Sequence, residues 1–242
     1  MRILVISDIH ANQAALESVL ANAGEIDAAW CLGDLVGYGP DPNEVIDRIR
    51  QLPNLLCLIG NHDAAALDLI DTGAFNPEAR QAVQWTQKNL SDDHIAFLKS
   101  LPEKIQVDEV TLSHGSPRYP VWEYLLDTRS AAYNFEFFDT PFCFVGHTHL
   151  PVIYHMDGKI ESTRLEIPEP NTIIQLQWRS IVNPGSVGQP RDRDARASFA
   201  IYNSDDHSWF YQRVEYDISS VQARMMEAGL PERHIQRLSA GW

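Results

Sequence analysis

Cysteine is scarce in this 242-residue chain, and basic charge is outnumbered. The three cysteines, Cys31, Cys57 and Cys143, are odd in number, far apart and set inside apolar runs. They read as small buried hydrophobes and exclude a disulfide framework. Nineteen lysines and arginines stand against 33 aspartates and glutamates, a net charge of −14. That is the wrong sign for gripping a phosphate backbone by counterion release, so non-specific nucleic-acid binding is not expected. Long hydrophobic runs are also missing. The opening Ile3-Leu4-Val5-Ile6-Ser7 meets Asp8 too soon to be a signal peptide or a membrane span, and the expected location is the cytoplasm, with no membrane partner. With 13 glycines and 14 prolines the chain is not collagenous, and it shows no repeat, low-complexity tract or long linker. A single domain over residues 1–242 is the simplest reading, large enough to bury its own core.

What is present is 44% hydrophobic residues arranged in short runs. In the first half, apolar runs at Ile3–Ser7, Ala28–Leu32 and Leu55–Ile59 alternate with helix-like segments, which predicts a mostly parallel sheet built from βαβ units. Asn12 is a candidate N-cap, and so are Asn76, followed by Pro77, and Ser91. Strands are expected near Lys104–Val107, Val110–Ser113 and Phe142–Val145. From Val152 onward a hairpin-like succession (Val152–His155, Ile173–Trp178, Ser180–Val182, Ser198–Tyr202, Trp209–Val214) predicts a second sheet, closed by two C-terminal helices. Gly158 to Asn171 reads as a surface loop or hairpin excursion. The expected fold class is α/β, a two-sheet sandwich flanked by helices.

Five of the apolar runs end in a turn that carries potential metal ligands, which is where open α/β sheets place their sites. The turns hold Asp8 and His10; Gly33-Asp34; Gly60-Asn61-His62-Asp63; His114-Gly115; and Gly146-His147-Thr148-His149. Five of the nine histidines lie in these turns. Each fragment alone is compatible with an ordinary turn, but several crowded imidazoles and carboxylates without a partner are costly when buried.

In this order the motifs resemble the calcineurin-like metallophosphoesterase superfamily from Asp8 to about Gly188. Gly33-Asp34-Leu35-Val36-Gly37-Tyr38-Gly39-Pro40 and Asn183-Pro184-Gly185-Ser186-Val187-Gly188 are similar to its small bacterial phosphodiesterase-like branch. The resemblance implies a four-layer α/β/β/α sandwich and two divalent ions. One would take Asp8, His10, Asp34 and His149; the other would take Asn61, His114 and His147, with Asp34 bridging. It also implies that His62 is not a ligand but stabilises the phosphoryl oxygen or protonates the leaving group, a task suited by an ordinary or raised histidine pKa.

The chemistry of the residues agrees. Two divalent cations exceed the charge of two carboxylates, leaving room for a shared, activated water and a phosphate oxyanion. Imidazole-rich ligation without thiolate points to Mn, Fe, Co, Ni or Zn over Ca or Mg. The chain departs from phosphoprotein phosphatases of the superfamily, which carry an Asp-Arg pair where Gly37-Tyr38 stands. Asp41 is a candidate to orient His62, and Arg118 and Arg191 are candidates to hold phosphate, a solvated surface role being the alternative for both arginines. Gly185 and Gly188 are expected to let their loop pass beneath the site. The aromatic segment Tyr119–Phe138 either walls a substrate pocket or belongs to the core.

The expected function is hydrolysis of a small, nucleotide-like or other phosphodiester or phosphomonoester by a dinuclear metal centre. A metal-dependent nucleotide- or phosphate-binding module without turnover is the alternative. A metal-stapled interaction protein ranks behind both, because structural metal sites are usually thiolate-rich and closed.

Overall fold

In the computed structural model, which describes residues 1–159 and 162–242, the chain runs β1 (Arg2–Ile6), α1 (Gln13–Asn22), β2 (Ala28–Cys31), α2 (Pro42–Arg50) and β3 (Leu56–Cys57). It continues through α3 (Asn61–Ala66), α4 (Pro77–Asn89), α5 (Asp92–Lys99), β4 (Lys104–Val107), β5 (Val110–Ser113), α6 (Thr128–Asn134) and β6 (Phe142–Phe144). Then come β7 (Pro151–Met156), β8 (Thr163–Glu166), β9 (Thr172–Gln175), β10 (Ser180–Pro184), β11 (Ala197–Asn203), β12 (Ser208–Val214), α7 (Ile218–Glu227) and α8 (Glu232–Ala240). The side chains of Asn12 and Asn76 cap their helices, accepting from Ala15 N at 3.1 Å and Ala79 N at 2.8 Å.

Two six-stranded sheets form, in the orders β3-β2-β1-β11-β12-β9 and β4-β5-β6-β10-β7-β8. Strand alternation sorts the side chains between layers. Ile3, Val5, Trp30, Phe142, Phe144, Tyr202 and Trp209 fill the space between the sheets. Leu4, Ile6, Cys31 and Phe199 point the other way, onto α1, α2 and α5, while Cys143, Val145 and Ile181 pack against Ala131 of α6 on the far side. Full burial of each large apolar side chain contributes about 1.5–3 kcal/mol, so the four layers are held by side chains whose period of two is visible in the sequence. Among the described residues no helix is long and apolar enough to cross a membrane.

Two expectations are corrected. The N-terminal sheet is mixed: β1, β2 and β3 are parallel, but β11 pairs antiparallel with β1. For the same reason β9, β11 and β12 do not belong to a separate later sheet. Strand β1 is buried on both faces and needs a partner on each edge; β2 supplies one and β11 the other. The stretch Gly158 to Asn171 takes the hairpin form of the expected excursion, since its β8 makes an antiparallel pair with β7; its residues 160 and 161 lie outside the described residues.

Candidate metal centre

The carboxyl ends of β1, β2, β3, β5 and β6 open onto one rim, and their loops are laced together there. Asp8 N donates to Gly33 O at 3.0 Å, His10 N to Asp34 O at 3.0 Å, and Gly146 N to His114 O at 2.8 Å. The Gly185–Gly188 loop runs beneath, with Val187 N and Gly188 N donating to Ser7 O and Asp8 O, each at 3.0 Å. A Cβ on Gly188 would lie 1.7 Å from Ile9 O, and one on Gly60 would lie 2.1 Å from Asp34 Oδ1. These close approaches admit glycine alone. Asp8, His10, Asp34, His147 and His149 all have left-handed backbone, with φ between 49° and 65°. For non-glycine residues that conformation is uncommon and concentrates at functional sites.

Two groups of donors result. Asp8, His10 and His149 form one; Asp34, His114 and His147 form the other; within each, one donor atom per residue lies within 4.8 Å of the others. Asp34 Oδ2 stands between them, 3.4 Å from His114 Nε2 and 3.7 Å from His10 Nε2, and Asn61 Oδ1 lies 3.1 Å from His114 Nε2. The far nitrogens of the rings are fixed by backbone. His10 Nδ1 donates to Val36 O at 3.1 Å, His114 Nδ1 to Leu32 O at 2.8 Å and His149 Nδ1 to Gln189 O at 2.6 Å. Such contacts hold metal-binding imidazoles in the tautomer that directs Nε2 inward.

The inward atoms are left without partners. Asp8 Oδ1, Asp34 Oδ2 and His147 Nε2 are buried with no hydrogen bond, and such atoms are costly unless a cation or donor meets them. Burial holds His10, His147 and His149 well below the usual imidazole range, so their rings are neutral and their lone pairs free. Burial also pushes Asp8 up to about 6. At Asp34 burial opposes the charge, but His114 and His62 outweigh it and hold the carboxyl well below its usual range. His114, likewise opposed by burial, is pushed up to about 9 by Asp34 and Asp8. The donor set of imidazole nitrogens, two carboxylates and one amide oxygen therefore fits a pair of divalent cations.

His62 lies at the start of α3, and its N–H donates to Asp34 Oδ1 at 2.8 Å. Its ring stands 4.3 Å from that of Tyr38 and 5.0 Å from that of His10. Gly37, at φ 89°, makes room for it: a Cβ there would lie 2.7 Å from His62 Nδ1. Burial pushes His62 down to about 4, so the imidazole is neutral near pH 7, in contrast to the ordinary or raised value expected. Asp41 does not orient it. The Asp41 carboxylate is taken by Arg224 and by Gln13 N, and His62 Nδ1 has no hydrogen-bond partner.

The two candidate arginines part company. Arg118 pairs with Glu123 and lies over the Tyr119 ring at 5.0 Å, whereas Arg191 lies over the Tyr38 ring at 5.8 Å, beside the metal-ligand candidates. The aromatic segment divides as well. Phe135 and Phe138 are core, but Tyr124 stacks on His147 at 3.8 Å, and Trp122 meets Phe75 at 5.9 Å. Together with Tyr38, Asn61 and His62 these rings line a cleft of about 300 Å³. Sequence reasoning gave no role to Phe75 or Tyr38, whose approach depends on long-range packing. It named Asp63 in its turn without a role; the carboxylate accepts from Gly60 N at 2.9 Å and Val36 N at 3.0 Å and so ties two ligand loops together.

Residues 1–207 match the model of the calcineurin-like phosphoesterase superfamily domain. An uncharacterized protein of Methanocaldococcus jannaschii is 38% identical over 99% of this chain and 98% of its own length. A symmetrical bis(5'-nucleosyl)-tetraphosphatase of Erwinia tasmaniensis is 34% identical over 51% of this chain, which spans 47% of that enzyme. Among solved structures, a metallophosphoesterase from Sphaerobacter thermophilus superposes with a TM-score of 0.92 at 48% identity, covering 100% of this chain and 99% of the other. The motifs, the two donor groups and these likenesses agree: the chain belongs to the calcineurin-like phosphoesterase superfamily.

Proposed function

We propose that this protein is a metal-dependent phosphoesterase that hydrolyses small phosphoesters at a dinuclear centre. The observation that carries the reading is the pair of donor groups meeting at Asp34 Oδ2, with unpartnered buried atoms directed inward. Asp8, His10, Asp34 and His149 would hold one ion, and Asn61, His114 and His147, with Asp34 shared, the other. When bound, the pair supplies Lewis acidity toward a phosphoryl oxygen and a water activated for attack. The family supports divalent metal in general; Mn, Fe, Co, Ni and Zn all suit this donor set.

The rest of the chemistry belongs to the chain. His62 lines the cleft next to the donor groups and, as a neutral imidazole, donates an N–H to the phosphoryl or leaving oxygen, supporting charge that builds in the transition state. Arg191 adds a positive charge against the same substrate. The aromatic walls, Phe75, Trp122 and Tyr124, exclude water and offer flat faces to a planar substituent such as a nucleobase. The tetraphosphatase from Erwinia is consistent with a nucleotide-like substrate. The three buried, unpaired cysteines support a cytoplasmic location.

The test is to load the protein with Mn or Zn and assay phosphomonoesters, phosphodiesters and dinucleoside polyphosphates, with Asp34→Ala as control. Metal-dependent turnover lost in the control supports the proposal. Stoichiometric metal and phosphate binding with no turnover on any ester would replace it with a binding module.

A further inference from the structure

The last two helices lie beyond residue 207, where the family model ends, yet they close against the site. Val221 and Met225 of α7 and Ile235 and Leu238 of α8 share an apolar cluster with Tyr38, and the His234 ring stands 4.5 Å from the Tyr38 ring. The end of α8 is fastened to the loop that carries Arg191, because Arg193 N donates to Gly241 O at 2.6 Å. Arg237, next to Leu238 of that cluster and about one turn before Gly241, is held by the same anchor on the end of α8 that faces the Arg191 loop and Tyr38.

Three carboxylates of the surrounding loops and helices are already engaged. Asp192 pairs with Arg213, Asp194 with Arg196, and Asp41 with Arg224. Among the described residues Arg191 and Arg237 enter no ion pair, and the Nε of each is buried without a hydrogen-bond partner. Arg191 donates to Gln189 Oε1 at 3.0 Å and lies over the Tyr38 ring, and Arg237 lies over the Trp242 ring at 5.5 Å. Burial, and then the charge of Arg191, push Arg237 below its usual range; Tyr38 and Glu78 oppose this less strongly. In a chain of net charge −14, two half-buried guanidinium groups that enter no ion pair, with Glu78 and Asp8 acting on them only from beyond ion-pair distance, form a site for an anion. Guanidinium is the side chain best matched to phosphate oxygens.

We propose that Arg191 and Arg237 form a second anion subsite, which holds a phosphate of the substrate beyond the one being cleaved. Preferred substrates therefore carry at least two phosphates. The inference rests on the phosphoesterase reading, and its site is completed by Arg237 of α8, outside the matched family segment.

The test is calorimetric titration of the metal-loaded protein with inorganic phosphate and with pyrophosphate. Metal content is measured after each run, since pyrophosphate also binds cations. Wild-type protein should bind pyrophosphate about tenfold or more tightly than phosphate, the scale of one hydrogen bond to a charged group. Arg237→Ala should lose that preference while its phosphate affinity stays within about twofold, and Arg237→Lys should recover part of it. Should Arg237→Ala fail to fold, Arg237→Gln takes its place.

An unchanged pyrophosphate-to-phosphate ratio in a folded variant overturns the subsite. So do two phosphates bound per chain with no gain for pyrophosphate, which would make the arginines an independent anion site. A preference that depends on Arg237 in a protein that hydrolyses no ester would keep the subsite and remove the phosphoesterase reading. Hydrolysis with an unmoved ratio does the reverse.

Discussion

His10 Nε2 and His149 Nε2 face each other at 3.1 Å, and each ring has its Nδ1 proton committed to a backbone carbonyl. Two lone pairs therefore point at one spot, with Asp8 Oδ1 3.3 Å from His149 Nε2. A cation there converts a repulsive contact into a bonding one. Metal should accordingly stabilise the fold, by about 2.7 kcal/mol for one site at a free concentration of a hundred times Kd. For a chain of this size that corresponds to a rise in Tm of about 5–10 °C. Thermal melts of chelator-treated protein with and without Mn or Zn measure it. A Tm that ignores the metal, with less than one equivalent bound, would tell against the centre.

Metal affinity should depend on pH with a definite sign. His114 is held up to about 9 by Asp34 and Asp8 against the effect of burial, so at pH 7 it carries a proton that a cation must displace. Between pH 7 and 9 the apparent affinity of the ion held by His114 should rise about tenfold per unit, with close to one proton released per ion bound from that group. Above pH 9 the rise should level off. Calorimetry in buffers of different ionisation enthalpy counts the proton, and a flat profile would remove His114 from the ligand set.

Much of this arrangement could be read from residue order alone, and the reason is physical. Ligand turns at strand ends need glycine for close backbone approach, so Gly33, Gly60 and Gly146 precede their polar residues in sequence. Helix caps such as Asn12 and Asn76 act over three residues and leave a local trace. What could not be read depends on contacts between distant segments. Nothing near Asp41 announces Arg224, 183 residues away, and nothing near β1 announces that β11 is its second neighbour. Nor could alternation tell which of the aromatics between Tyr119 and Phe138 faces the cleft: Tyr124 meets His147, while Phe135 is buried against Phe138.

Asp34 should behave unlike the other carboxylate. Its Oδ2 lies between His10 and His114, and its Oδ1 accepts the His62 N–H. Asp34→Ala should therefore lower the occupancy of both ions, and His10→Ala chiefly that of one. Metal analysis of both variants after equal dialysis distinguishes these outcomes. Equal and mild losses in the two would end the bridging assignment.

Phosphodiesters should be preferred over monoesters. The turn after Asp34 carries Gly37 and Tyr38 in place of a carboxylate and an arginine, and Arg118 is held by Glu123. With Arg191 assigned to the second anion subsite, no arginine is dedicated to the scissile phosphate, which leaves a dianionic monoester little support. Comparing kcat/KM for bis(p-nitrophenyl) phosphate and p-nitrophenyl phosphate decides the matter, and a large monoester preference would overturn the idea.

His62 should contribute to rate and not to metal binding. It is pushed down to about 4 by burial, stands against Tyr38 and Phe75, and meets the donor groups through its backbone N–H to Asp34 and an edge contact with the His10 ring, not through a ring nitrogen aimed at them. His62→Ala should cut kcat by about 10²–10³-fold, the range for losing one preorganised donor to developing charge, with metal content near that of wild type. The two roles open to it separate by leaving group. A neutral imidazole that stabilises the phosphoryl oxygen is missed equally by every substrate. One that hands a proton to the departing oxygen is missed far less when the leaving group is p-nitrophenolate, which departs as a stable anion. The low pKa favours the first outcome, a loss that does not vary across a series of leaving groups. Activity of His62→Ala restored by excess metal would instead make His62 a ligand and redraw the division of the site.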